Sequence, residues 1–91
     1  MNDLNIQHID RKFYIGTESE HEAELDYEVK DQTLIATHTY VSPNRRGEGI
    51  AKALVEALIE YAREHGYKIQ PVCSYVVDYF EQHEAELEDV R

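Results

Sequence analysis

The sequence predicts a small α/β fold: an antiparallel strand meander followed by a strand–helix–strand–helix unit, all sharing one mixed sheet. Three observations carry this. Residues 22–29 alternate strictly between acids and apolar side chains, which is the period of a strand. Residues 50–65 carry an apolar face so wide that a helix there must lie flat on a sheet. After Gly66, a second strand pattern runs directly into a second helix pattern.

The elements can be justified in order. "KFYIGT" is a short strand candidate. In "EAELDYEV", Ala23, Leu25, Tyr27 and Val29 fall on one face and Glu22, Glu24, Asp26 and Glu28 on the other, a half-exposed strand. Lys30-Asp31-Gln32 supplies a turn, and the β-rich run "TLIATHTYV" pairs back as a hairpin. Ser42-Pro43-Asn44 ends that strand, because proline cannot continue a ladder and asparagine suits a turn. From Ile50 to His65 the strongly polar positions before the last turn are Lys52, Glu56 and Glu60, spaced four apart on one stripe. Gly66 stops this helix, with Arg63 and His65 complementing its dipole. "YKIQPVC" is the next strand, and "SYVVDYFEQ" a second helix with Ser74 as its expected N-cap. Strand, helix, strand in this order implies a right-handed crossover between parallel strands.

Composition bounds the function. At 91 residues, 42% hydrophobic and 31% charged, the chain reads as one globular domain spanning residues 1–91, without linker or repeat. No stretch approaches the roughly 18–20 apolar residues that span a bilayer. "MNDLNIQHID" lacks an apolar signal region, and the single cysteine cannot form an internal disulfide, so a cytoplasmic protein is expected. A formal net charge of −10 repels a phosphate backbone, which argues against nucleic acid and favours a cationic or amine-bearing partner.

Against that acidity, "RRGEGIAKAL" places two arginines and two glycines at a helix entrance. Such a loop offers unpaired backbone N–H groups and the positive end of a helix dipole. Gly47 and Gly49 let the backbone come close to an anion, and Arg45 and Arg46 add forked donors. The plainer alternative is that the arginines solvate a loop that the glycines turn. Neither the Walker pattern nor the dinucleotide fingerprint is present.

These residues carry a resemblance. "VSPNRRGEGIAKAL" is similar to the acetyl-coenzyme A loop of the GNAT superfamily of N-acetyltransferases. That pattern is Gln or Arg, two residues, Gly, one residue, then Gly or Ala, here Arg46, Gly49 and Ala51. The flanking "HTYV" and the later "PVCSYV" resemble the minimal, stand-alone group of that superfamily, and the similarity runs from about Phe13 to Tyr79. It implies a GNAT-like fold and acetyl-coenzyme A as cosubstrate. The strand ending at Val41 would pair with the pantetheine arm. The amides of Arg46, Gly47, Glu48, Gly49, Ile50 and Ala51, with Arg45 beside them, would hold the pyrophosphate. The thioester would lie where the strands ending near Val41 and Cys73 splay apart.

The resemblance also assigns chemistry. Amine attack on a thioester needs a base, a donor to the carbonyl oxygen and an acid for the leaving thiolate. His38 is the natural base, or else a hydrogen-bonded core histidine. Cys73 could be a proton donor, a covalent acetyl carrier or a small buried hydrophobe. Tyr75 and Tyr79, four apart on the last helix, could serve as the acid, pack on the pantetheine or simply fill the core. His8 and His21 sit in polar sequence, and no pair has metal-ligand spacing with a third ligand, so no metal is expected. The chain lacks the two early helices and terminal hairpin with which larger members build an acceptor pocket. Its tail, "HEAELEDVR", reads as a solvated, frayed end whose acids could otherwise frame a cationic acceptor. Two functions are compatible with this: an acetyltransferase acting on an amine such as a small amine or lysine side chain, or a coenzyme A-binding module with little turnover. Membrane and nucleic acid are not expected partners.

Overall fold

The strands lie side by side in chain order, and the computed structural model that shows this describes residues 5–17, 19–47 and 49–91. Strand β1 is Gln7–Ile9, β2 Lys12–Gly16, β3 His21–Lys30 and β4 Thr33–Val41. A short 3-10 turn at Pro43–Arg45 leads to helix α1, Ile50–His65. Strand β5 (Lys68–Pro71), helix α2 (Ser74–Gln82) and a 3-10 turn at Glu84–Leu87 complete the order. The first four strands are antiparallel, and β5 runs parallel to β4. Strand β1 had no clear signal, since three residues with Gln7 and His8 among them are too short for a period to register.

Each face of the sheet has its own chemistry. Both helices pack on the side carrying Phe13, Ile15, Ala23, Leu25, Tyr27, Leu34 and Ala36. From α1, Ile50, Leu54, Val55, Leu58, Ile59 and Ala62 point into that core; Val76 and Phe80 join them from α2. The acids of β3 that alternate with its buried residues face the other way and carry Lys12, Tyr14 and His38 for company. The turn between β3 and β4 has two residues, Asp31 and Gln32, both at positive φ (51° and 64°), the conformation whose twist suits a tight hairpin.

One irregularity positions the site. Asp26 is opposite His38, but Tyr27 is opposite Ala36, so Thr37 is an extra residue in β4. Before the bulge, Leu34 and Ala36 face the helices. After it, Thr39 and Val41 do, opposite Leu25 and Ala23, while His38 and Tyr40 turn to the open face. The bulge therefore inverts the parity of the strand at the point where β5 stops pairing.

The chain after α2 differs from the frayed tail expected of its acidity. Leu87 and Val90 are buried in the core. Arg63 bonds Asp89 Oδ2 at 2.8 Å and the Glu86 carbonyl at 2.9 Å, and Lys68 Nζ bonds the Asp89 carbonyl at 2.9 Å. Two spaced apolar residues among many acids were too sparse to register as a buried turn. The tail also blunts the sheet edge. Lys68 and Val72 direct their amides to β4, so Ile69 and Pro71 face outward. The Ile69 amide is taken by the Val90 carbonyl, and Pro71 has none to give. The cap of α2 also differs: Cys73, not Ser74, is the N-cap residue, and no side chain bonds the helix amides from it.

His8, read from its neighbours as polar, stacks on Phe13 at 4.0 Å and meets the edge of Tyr61 at 4.7 Å. Its Nε2 lies 2.7 Å from the Tyr27 hydroxyl. Burial, with Tyr61 beside it, pushes the Tyr27 phenol up to about 12, so that hydroxyl keeps its proton beside the imidazole. Burial, then the nearby His65, hold His8 below its ordinary 6.5, against a smaller upward pull from Asp10.

Two predictions follow from the packing. Leu87→Ala lowers the unfolding free energy by about 2–4 kcal/mol, read by urea denaturation, as a buried leucine does and a frayed one does not. The unfolded chain takes up a proton on His8 more readily than the folded one. Stability should therefore fall as pH drops through about 6.5, and His8→Gln should flatten that part of the pH–stability curve.

A loop, a strand edge and a thiol where two strands part

Strands β4 and β5 pair from Thr33↔Lys68 to Ala36↔Pro71 and no further. What ends the pairing is visible at Ala36, whose carbonyl accepts from the amides of both Val72 and Cys73, each at 3.0 Å. The chain turns there into α2, and β4 continues for five residues beside β3 alone. The Ser42 amide bonds the Glu22 carbonyl. By the alternation of an antiparallel ladder, Thr39 and Val41 then turn their N–H and C=O groups toward the side that β5 has left.

Helix α1 begins beside this opening. Its first intrahelical bond runs from Ala53 to Gly49 at 3.1 Å, so the amides of Gly49, Ile50, Ala51 and Lys52 precede the ladder, and no side chain among the described residues caps them. Gly49 holds φ 75° as N-cap and Gly47 holds 86° in the loop. A Cβ on either would meet nothing within 4 Å, so packing does not demand glycine here; the left-handed backbone does. Val41, Arg45, Arg46, Gly47, Gly49, Ile50 and Ala51 line one depression of about 240 Å³ together with Lys52 and Tyr75. Arg45 pairs with Glu22, while Arg46 is exposed and bonds the Val41 carbonyl through Nε at 3.3 Å. Glu48 lies outside the described residues.

The remaining candidates separate. Cys73 Sγ lies 2.9 Å from the Thr39 hydroxyl, on the helix side of the opening. His38 sits across the sheet on the open face, exposed to solvent. Tyr79, a candidate for the acid or for packing on the pantetheine, lies away from the loop depression: its hydroxyl reaches Glu56 at 3.4 Å and its ring stacks on His83 at 4.2 Å. One turn earlier on α2, Tyr75 takes the place beside the loop. Burial, then the charge of Glu56, raise both phenols above the ordinary tyrosine value, so both are protonated at neutral pH.

Among the described residues, the fold also gathers a group that sequence spacing hid. Ligand atoms of Glu24, Asp26 and His38 lie within 4.8 Å of one another, brought together by strand pairing. A cation already serves the carboxylates, since Lys12 Nζ is 2.8 Å from Asp26 and 3.3 Å from Glu24. His21, another histidine expected in polar surroundings, stacks on buried Tyr14 at 4.3 Å and bonds Glu24 through Nδ1 at 2.8 Å. Burial alone would raise the Glu24 carboxyl; the bonds from His21 and Lys12 outweigh it and hold it below the usual range. No helix among the described residues is long and apolar enough to cross a membrane.

Comparison with known proteins gives a consistent result. The sequence profile of the GCN5-related N-acetyl-transferase family matches residues 12–90. A GCN5-like protein from Staphylococcus aureus, solved in solution by NMR, superposes with a TM-score of 0.79 at 37% identity, covering 99% of this chain and 89% of that one. The ribosomal-protein-alanine N-acetyltransferase from Brucella melitensis biovar Abortus 2308 superposes at 0.62 with 21% identity, over 78% of this chain and 60% of that one. For the ribosomal-protein-S18-alanine N-acetyltransferase from Escherichia coli the values are 0.59 and 19%, over 70% of this chain and 43% of that one. These last two share the fold and are much longer than the part that matches.

Proposed function

The chain belongs to the GCN5-related N-acetyltransferases and is an acyltransferase, and on that premise we propose that it moves the acetyl group of acetyl-coenzyme A to the nitrogen of a cationic amine. The observation that carries this reading is the junction of three features. Helix amides with no side-chain cap among the described residues, an exposed arginine and the end of the strand edge at Val41 border one depression, with a thiol at the parting of β4 and β5.

The pyrophosphate of the coenzyme suits the amides from Gly49 to Lys52, where the helix dipole and the guanidinium of Arg46 both favour an anion. The pantetheine arm, built on amides, suits the outward N–H and C=O groups of Thr39 and Val41, as an added strand would. Tyr75 borders the same depression and offers its ring to the arm. An acyl group following this path enters the parting beyond Ala36, with Cys73 on the helix side and His38 on the open side.

The reaction then divides between the two faces. The acceptor approaches from the open face, where His38 takes a proton from the ammonium and frees the lone pair for attack. As the carbon–sulfur bond of the thioester breaks, Cys73 gives its proton to the departing coenzyme sulfur. Protonated amines are drawn by the net charge of −10 and by the acidic open face of β3, where Glu28 stands beyond the carboxylates that Arg45 and Lys12 already serve. We place the reaction in the cytoplasm, in keeping with a single cysteine that has no internal partner.

Thermal unfolding with coenzyme A tests the cofactor site. At about 100 times the dissociation constant, the ligand should add about 2.7 kcal/mol and raise the midpoint by about 10 °C or more. Arg45→Ala with Arg46→Ala should abolish most of that shift; an unchanged shift in the double variant removes the phosphate assignment. His38→Ala should keep the shift while lowering the transfer rate about 100-fold or more. Wild-type turnover in that variant would take the histidine out of the mechanism.

A further inference from the structure

We propose that Thr39 is a positioning residue that acts through Cys73, its hydroxyl holding the sulfur in line and stabilising it once its proton has gone. This rests on the reading above, in which Cys73 protonates the departing coenzyme.

Strand β4 presents one row of side chains to the helices: Leu34, Ala36, Thr39 and Val41. Three are apolar, and only position 39 carries a hydroxyl. Thr39 is partly buried, and valine would fill the same space with the same branching at Cβ. Packing therefore gives no reason for the oxygen. Removing a hydroxyl from water is costly unless it finds a partner, and the Thr39 oxygen finds Cys73 Sγ at 2.9 Å, 34 residues along the chain. Without the bulge at Thr37, position 39 would face the open side of the sheet and the two groups could not meet.

The cysteine is otherwise fixed through its backbone. Its amide is held by the Ala36 carbonyl at 3.0 Å, and its carbonyl accepts the first bond of α2 from Val77 at 3.0 Å. What remains free is rotation about its Cα–Cβ bond, and the threonine hydroxyl is the contact that selects one setting. That setting lies where β5 leaves β4, beside the outward backbone of Thr39 itself.

The proton balance gives the hydroxyl its second duty. The amine nitrogen forms a bond to the acetyl carbon and gives up its second surplus proton to solvent, and the thioester carbon–sulfur bond breaks. The Cys73 sulfur–hydrogen bond breaks in step, its proton passing to the coenzyme sulfur. Cys73 is left as a thiolate, to which the Thr39 O–H donates a charge-assisted hydrogen bond. Cys73 recovers a proton from solvent, into which His38 releases the one it took from the acceptor.

The test uses the full chain with Thr39→Val, which keeps the shape, and Thr39→Ser, which keeps the hydroxyl. Cys73 is the only cysteine in the sequence, so alkylation by iodoacetamide reads its sulfur directly, apart from any acetyl transfer. Thr39→Val should slow alkylation at neutral pH by about tenfold and lower kcat by a similar factor. The KM for acetyl-coenzyme A and the thermal shift with coenzyme A should stay as in the wild type, and Thr39→Ser should restore both rates. Unchanged alkylation in Thr39→Val overturns the proposal, as does a Thr39→Ser variant no better than Thr39→Val, since the methyl and not the oxygen would then matter. Cys73→Ala supplies the separate check on the parent reading. Wild-type acetyl transfer in that variant removes the proton-donor role, and with it the purpose of the bond, whatever the alkylation shows.

Discussion

The site depends on one carbonyl. Ala36 accepts two amides, from Val72 and Cys73, where a continuing parallel ladder would give it one. That pair of hydrogen bonds to a single oxygen draws the chain out of β5 and into α2, and it leaves the rest of β4 with a partner on only one side. An unpaired strand edge inside a sheet is ordinarily a defect, because its backbone groups seek partners. Here its far end, at Val41, lies beside the start of α1, so strand edge and helix start border the same depression. The two suit the two parts of one ligand: an anion for the helix, an amide-bearing arm for the strand.

The outer edge of β5 is treated in the opposite way. A short strand, a proline and a carbonyl from the tail leave it no outward amide to offer. The acidic tail performs this closure while Leu87 and Val90 anchor it in the core and Arg63 and Lys68 tie down Asp89. The fold thus spends its last residues on sealing one edge of the sheet and leaves the interior edge open.

Much of this was legible in the residues. The alternation of β3, the hairpin to β4, the limits of α1 and its glycine stop all rest on interactions within a few residues, which local pattern records. So does the loop from Arg45 to Ala51, because a helix start and its preceding turn are local. What stayed hidden depends on distant pairing. Strand β1 is too short to show a period, and the buried tail is decided by partners 21 to 26 residues away. The facing of Tyr79 is set by how α2 rotates against α1, which no single helix pattern contains. The grouping of Glu24 and Asp26 with His38, and the contact of Thr39 with Cys73, require the register of β4, and the bulge shifts that register without leaving a mark in composition.

The extra residue at Thr37 carries a consequence for how this protein can change over generations. Its side chain is exposed, so a wide range of substitutions there would pass unnoticed. Its looping-out is another matter. Were Thr37 drawn into the ladder as an ordinary strand residue, the second half of β4 would turn over, with His38 toward the helices and Thr39 toward solvent. Losing Thr37 outright would instead leave Tyr27 opposite Ala36 and Asp26 opposite His38 as neighbouring pairs, each side chain on the face it holds now. Position 37 is thus open to changes of letter and to outright loss, and the two faces of the site keep their contents through either.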